Sequence, residues 1–399
     1  MITREARAAR LRDRLRSRNP SAVAVARLFR APGRVNLIGE HTDYNDGFVM
    51  PLAIDFDTWV LAAPRSDGLI VVESLDFDEI HRFRLEDGPS RPPGSGHWTA
   101  YVEGVAHVLK SIDRGVSGAN LVIHSTVPMG SGLSSSAALE VSVALALSSL
   151  GGAEVPSGLE IARVCQRAEN EFVGARCGIM DQYASVHGAA GQAIHLDCRS
   201  LTHRAVPLQA VNAPFRIVVC NSMVRHQLAG GEYNNRRREC EAAVHAIADT
   251  DARVQALRDV SEDLLDQCVG RMDPVVWRRA RHVVTENARV EALARALNDG
   301  QWPAVAAIQR ASHESLRDDY AVSCAELDRL VDIAQQHTGT LGCRMTGGGF
   351  GGCTVNLVAA AAVDSFCAHV TQEYTLSMGY APEIYVCGAA DGAGEVYGV

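Results

Sequence analysis

The stretch PMGSGLSSSAALEVSVALALSSL, residues 128–150, decides how this chain reads. Gly130 and Gly132 open backbone angles closed to other residues and let the main chain approach a partner closely. Ser134, Ser135 and Ser136 follow, and a helical run of small apolar residues starts directly behind them. Glycines and serines at a helix start offer several N–H and hydroxyl donors beside the positive end of the dipole. That suits a phosphate without any lysine. It also suits an ordinary serine cap after a flexible turn, although three consecutive serines exceed what a cap requires.

The rest of the chain narrows the chemistry. Lys110 is the one lysine, so almost all of the 38 Lys and Arg residues are arginine. A Walker A loop needs a lysine after its glycines, and LKSID has none before it. A protein kinase needs its lysine in a VAIK-like strand behind a glycine loop, which HVLK lacks. Any phosphate handled here is held by arginine, backbone N–H groups and helix dipoles.

Four further segments concentrate polar groups or glycine. RMTGGGFGG (344–352) has five glycines in nine residues, so backbone there must come close to a ligand or to a packed strand turn. GRVNLIGEHTDYNDG (33–47) crowds Arg34, Asn36, Glu40, His41, Asp43, Tyr44, Asn45 and Asp46 into one loop. Paired donors and acceptors of this kind serve a polyhydroxylated ligand, or simply a solvated loop. A metal reading of Glu40, His41 and Asp43 lacks zinc-like spacing. In CGIMDQYASVHG (177–188), Asp181 is either a helix cap or a catalytic base. In CQRAENEF, Glu169 sits at the edge of an apolar stripe and needs a cation, either Mg²⁺ or one of the arginines.

The composition is that of a globular chain: 399 residues, 47% hydrophobic, 21% charged, formal charge −9. The length favours two domains. An acidic balance gives no electrostatic reason to bind nucleic acid or anionic membrane, and no apolar run is long enough to span a bilayer. Eleven cysteines without a CxxC pair read as reduced, mostly buried thiols of a cytoplasmic protein. The arginine-rich start reads as an exposed amphipathic first helix. Strands are expected at 22–29, 49–62, 69–73, 119–125 and 215–222, with a loop at 31–48 and another at 88–96. Helices are expected at 98–109, after the serines, at 158–174, and across 232–300 and 304–338. Mixed strands and helices predict an α+β fold in two units, 1–208 and 209–399.

At these residues the chain resembles the galactokinases. GRVNLIGEHTDYNDG is similar to the galactokinase signature, and CGIMDQYAS, NSMVRHQLAGGEYNNRRRECE and SHESLRDDYAVSCAELD fit the same branch. GLSSSAA and MTGGGFGG resemble motifs of the wider superfamily of galacto-, homoserine, mevalonate and phosphomevalonate kinases (the GHMP kinases). The resemblance implies a two-domain α+β fold with the active site in the cleft between domains. It implies transfer of the γ-phosphoryl of ATP to the anomeric hydroxyl of α-D-galactose. Asp181 would be the base and Arg34 its cationic partner, which would favour the charged carboxylate. Arg34, Glu40, His41, Thr42, Asp43, Gly178, Asp181 and Tyr233 would contact the sugar. Gly130, Ser131, Gly132, Leu133, Ser134, Ser135, Ser136 and Ala137 would cradle the triphosphate, with Trp98 and Tyr101 at the adenine. Ser136 and Glu169 would hold Mg²⁺. N-acetylgalactosamine kinases share the scaffold, but HTDYN looks like the galactose-preferring form. A sugar sensor without transfer would have lost residues of the serine loop, which is intact here. The acidic surface gives no sign of an obligate partner, so a monomer is expected.

Overall fold

The computed structural model describes residues 3–92, 96–152, 154–208, 214–225 and 229–398. The unit boundary expected at 208/209 abuts residues 209–213, which lie outside the described residues, as do 93–95 of the loop expected at 88–96.

The chain starts with helix α1 (Arg4–Arg18) and strand β1 (Arg27–Asn36), followed by β2 (Phe48–Val49), β3 (Pro51–Arg65), β4 (Ile70–Ser74) and β5 (Glu79–Phe83). Helix α2 (Trp98–Ser111), strand β6 (Gly118–Ser125) and helices α3 (Ser135–Leu150), α4 (Gly158–Ala168) and α5 (Met180–His187) complete this layer. A hairpin, β7 (Gln192–Asp197) and β8 (Thr202–Pro207), leads to β9 (Phe215–Arg225). Helices α6 (Ala229–Ala248), α7 (Glu262–Gln267), α8 (Pro274–Asn298), α9 (Trp302–Asp318) and α10 (Ala325–Gln336) follow. The chain ends with β10 (Thr340–Thr346), β11 (Gly351–Ala359), α11 (Val363–Met378), β12 (Glu383–Cys387) and β13 (Gly394–Glu395).

Three sheets result, ordered β13-β1-β3-β6-β4-β5, β10-β11-β9-β12 and β2-β7-β8. The two-residue period of β3 sorts its side chains. Val60 and Ala62 join the core under α2, α3 and α4, while Trp59, Leu61 and Ala63 meet Leu11 and Leu15 of α1. In the second half α10 and α11 cover one face of the second sheet. A further core joins Leu37, Ile38 and Leu52 to Val290 and Leu293 of α8, and it seats the 33–47 loop on the second half. The last strand, β13, returns to pair with β1.

Several expectations change in detail. Residues 20–25 form a 3₁₀ turn rather than strand, because Pro20 fixes the first turn. Strand β1 then runs through APGRVN, which the sequence reads as loop, and its register slips between Pro32 and Arg34. A bulge of this kind accommodates proline and re-aims the next side chain. The helix expected at 158–174 ends at Ala168 and continues as a π turn, Glu169–Val173, closed by Gly174 N–H on the Glu169 carbonyl at 2.9 Å. The first helix is not exposed on all sides: Ala8, Leu11 and Leu15 are buried, and Arg7 is buried in an ion pair with Asp57. The long helical stretches break where Asp273 caps Pro274, and at Gly300 with φ 64°. All eleven cysteines are free thiols, eight of them buried. Among the described residues no helix is long and apolar enough to cross a membrane.

Candidate active site

The bulge in β1 turns Arg34 toward the first turn of α5, where Asp181 lies. Arg34 Nε donates to Asp181 Oδ1 at 2.8 Å and Nη2 to Oδ2 at 2.7 Å, a two-pronged ion pair. Arg34 Nη1 donates to the Gly132 carbonyl at 2.6 Å. Three of the five guanidinium hydrogens are thus committed and two remain for a ligand. Asp181 does not cap its helix: the cap position is Ile179, with no side-chain bond. Nor does Ser134 cap α3. Its φ is 58°, and its hydroxyl donates to Asp181 Oδ2 instead. The serine loop and the base are therefore one connected unit.

Arg34 and Asp181 line a cavity of about 280 Å³ with Glu40, His41, Asp43, Glu169, Cys177, Gly178, Tyr233 and the 347–350 turn. His41 Nε2 faces the Gly348 carbonyl at 3.2 Å and Nδ1 faces the Tyr44 hydroxyl at 2.8 Å. A carbonyl only accepts, so Nε2 carries the hydrogen. Burial, then repulsion from His282, lowers the His41 pKa to about 3, and the ring is neutral. Asp43 moves the other way: burial, then the charge of Asp181, raises it to about 6. Glu40 is almost fully buried. Its carboxylate accepts from Asn36 Nδ2 at 2.9 Å, Thr346 Oγ1 at 3.1 Å and Gly347 N at 2.9 Å, and forms an ion pair with Arg344 Nη2 at 2.5 Å. Glu40 thereby pins the glycine turn to the 33–47 loop.

Of the sugar residues expected from the sequence, Thr42 stands apart. It is fully buried, and its hydroxyl is spent on the Gly39 and Phe48 carbonyls at 2.9 and 2.6 Å. The glycine run serves both purposes the sequence allowed. It is the turn between β10 and β11, where a Cβ on Gly349 would meet the Val322 carbonyl at 2.3 Å. Gly347, Gly348 and Gly349 also form cavity wall.

A second cavity, of about 420 Å³, begins at Ser135 and Ser136 and extends to Trp98 and Tyr101. Phe77 lies parallel to Trp98, ring centroids 5.7 Å apart and planes 11° off, and Trp98 Nε1 donates to Glu79 at 2.7 Å. The loop before α3 has positive φ at Gly130, Gly132 and Ser134. Alternation of this sort turns successive N–H groups to one side and makes an anion-binding concavity. Ser131, Leu133 and Ala137 of this stretch are buried, so their side chains are not open to a ligand. Ser131 donates to the Pro128 carbonyl and Leu133 accepts from Arg34 N.

Glu169 opens the π turn between the two cavities. Among the described residues it takes no arginine: its bonds come from Gln182 Nε2 at 2.7 Å and the Cys177 thiol at 3.7 Å, with Ser136 beside it. Burial, then the charge of Asp181, raises it to about 7. A half-buried carboxylate on a cavity wall, with no cationic partner among the described residues, is a place for a hard cation. Sequence reasoning missed the Ser134–Asp181 bond, the Phe77–Trp98 stack, Arg344 under Glu40, and Gln182. Phe77 alone carried a signal, as an exposed aromatic in a polar turn.

Known proteins share this fold. Family models for the N-terminal domain of GHMP kinases, the galactokinase galactose-binding signature and the C-terminal domain of GHMP kinases match residues 100–189, 21–64 and 290–373. A crystal structure of *Lactococcus lactis* galactokinase complexed with galactose superimposes with a TM-score of 0.91 at 35% identity, covering 98% of this chain and all of that one. The mevalonate kinase of *Methanococcus jannaschii* shares the fold, with a TM-score of 0.65 at 18% identity over 91% of this chain and 98% of that one. Fold and site together define an ATP-using kinase of the GHMP class, with two α+β domains. The galactokinase of *Chloroflexus aurantiacus* is 48% identical over 93% of this chain and 94% of its own, and that of a *Roseiflexus* species 46% over 92% and 93%. The chain belongs to the galactokinase family.

Proposed function

We propose that the chain transfers the γ-phosphoryl of ATP to the C1 hydroxyl of α-D-galactose, giving galactose 1-phosphate and ADP, the first committed step of Leloir galactose catabolism. The observation that carries this reading is the Arg34–Asp181 pair. It faces the smaller cavity, while Ser134 ties Asp181 to the serines of the larger one. Galactose fits the smaller cavity, where the walls alternate donors and acceptors. The nucleotide fits the larger, with adenine at Phe77 and Trp98 and phosphates at the N-terminus of α3.

Asp181 accepts the proton of the C1 hydroxyl as that oxygen attacks phosphorus. Arg34 holds the carboxylate in place with two bonds and directs its free hydrogens at charge building on the phosphoryl group. The Asp43 carboxyl orients the sugar beside the neutral His41 ring, whose two nitrogens are held by Tyr44 and Gly348. The Ser136 hydroxyl and Glu169 carboxylate would hold Mg²⁺. Among the described residues no three His, Cys, Asp or Glu side chains are grouped to bind a metal. When bound, the ion offsets phosphate charge. The two units divide at 208/209, and the enzyme works as a cytoplasmic monomer without nucleic-acid or membrane partners.

The test is ADP release from MgATP with D-galactose, with N-acetylgalactosamine and with no sugar. Release that depends on galactose is the expected result. Release only with the acetylated sugar overturns the substrate, and release with neither overturns the transfer.

A further inference from the structure

Behind the Arg34–Asp181 pair lies a group of buried side chains that the reaction just described does not use. Glu140 on α3 is fully buried. Gln182 on α5, also fully buried, donates from Nε2 to Glu140 Oε2 at 3.1 Å. The same Nε2 donates its other hydrogen to Glu169 Oε2 at 2.7 Å. Among the described residues two oxygens are left without a hydrogen-bond partner, Glu140 Oε1 and Gln182 Oε1. Leaving two buried acceptors unpaired is costly. Both groups accept, so no rotation alone repairs this. A proton on Glu140 does: acid and amide then match donor to acceptor on both sides, as two amides do.

We propose that Glu140 and Gln182 are a positioning pair, in which neutral Glu140 fixes the Gln182 amide and the fixed amide orients the Glu169 carboxylate for the MgATP phosphates. The pair rests on the role given to Glu169 above. Its logic lies in the sense of the amide. With Glu140 donating to Gln182 Oε1, the amide nitrogen must face Glu169. Without that donor the amide can turn over and set its oxygen against the Glu169 carboxylate, which repels it. Burial and the nearby Glu169 charge both favour the protonated acid at position 140. Partners one step removed from a metal or phosphate ligand are commonly worth 10- to 100-fold in activity.

The experiment compares E140Q, E140L, Q182L, Q182E and E169Q with the unaltered enzyme. Its readouts are kcat, KM for each substrate, thermal midpoint, and Mn²⁺ affinity of the enzyme–ADP complex by electron paramagnetic resonance. E140L and Q182L should lose about 10- to 100-fold in kcat and bind Mn²⁺ more weakly, with KM for galactose held. E140Q should recover most of that loss, because its amide can face Gln182 as the acid does. An infrared carbonyl band of a protonated carboxyl at pH 8, absent in E140Q, should mark Glu140 directly. Ordinary kcat and Mn²⁺ affinity in E140L and Q182L overturn the pair, as does E140Q no better than E140L. If the leucine variants fail to fold, Q182E carries the test: it keeps the shape but sets an acceptor against Glu169, and full kcat there overturns the pair. Full activity and Mn²⁺ affinity in E169Q would remove the role of Glu169 itself, a failure distinct from that of the pair.

Discussion

Replacing Gly178 by alanine puts a methyl group where the Asp43 carboxylate now lies. A Cβ built on Gly178 stands 1.9 Å from Asp43 Oδ2 and 2.2 Å from its Cγ. Ordinary carbon–oxygen contact begins near 3.4 Å, so something must give by about 1.5 Å. The backbone of Gly178 cannot retreat freely, since Met180 and Asp181 follow within three residues and Asp181 is fixed by Arg34. The carboxylate therefore moves, against its bond from Tyr44 N at 3.0 Å. A displacement of about 1 Å in a positioning group can cost 100-fold in rate, or about 2.7 kcal/mol of barrier. The expected result for Gly178→Ala is a loss of this order in kcat/KM for galactose, measured by coupled ADP release, with KM for MgATP little changed. Asp43→Gly should lose activity too, and the double variant should lose no more than Asp43→Gly alone, since every Asp43 side-chain atom near the new methyl, the Cβ at 2.8 Å included, is then gone. Unchanged kcat/KM in Gly178→Ala, or additive losses in the double variant, would refute the reasoning.

Arg34→Ala removes two bonds to Asp181 and one to the Gly132 carbonyl; turnover should fall by at least about 100-fold, and a full rate would remove its electrostatic role. Ser134→Ala deletes one bond to a charged acceptor, so kcat should fall by about tenfold, with wild-type kcat as the contrary result. The Asp43 pKa of about 6 stands above the usual aspartate value of 3.8. Its protonated form stabilises the fold below pH 4, and that contribution is lost as pH rises through 6. The thermal midpoint of Asp43→Asn relative to the unaltered enzyme should therefore climb between pH 5 and pH 8, and a difference flat in pH would contradict the shift.

Much of this was legible in the sequence because the decisive segments are local. The serine loop, the glycine turn and the 33–47 loop each carry their chemistry within about fifteen residues, and helix and strand periods place the elements between them. What the sequence did not show depends on contacts distant along the chain. Arg7 reads as a solvated helix charge, yet it is buried against Asp57 and lies over the Trp59 ring at 4.5 Å. Ser134 reads as a cap, but its hydroxyl prefers a carboxylate 47 residues away. Glu169 could have met an arginine, and a π turn instead sends it toward Gln182. Glu40 reads as a sugar contact, and its three donors and its ion pair with Arg344 show it also holding the glycine turn. The strand through APGRVN was hidden by its proline, whose bulge is the feature that aims Arg34.

The central claim is that Asp181 takes the proton from the sugar hydroxyl during phosphoryl transfer. The most direct measurement is galactose-dependent ADP release by Asp181→Asn, paired with calorimetric binding of galactose to the same protein. Asparagine keeps the shape and still accepts from Arg34, but it cannot serve as the base. Galactose should bind with near-normal affinity while turnover falls by about 10²- to 10⁴-fold; turnover close to that of the unaltered enzyme would contradict the account.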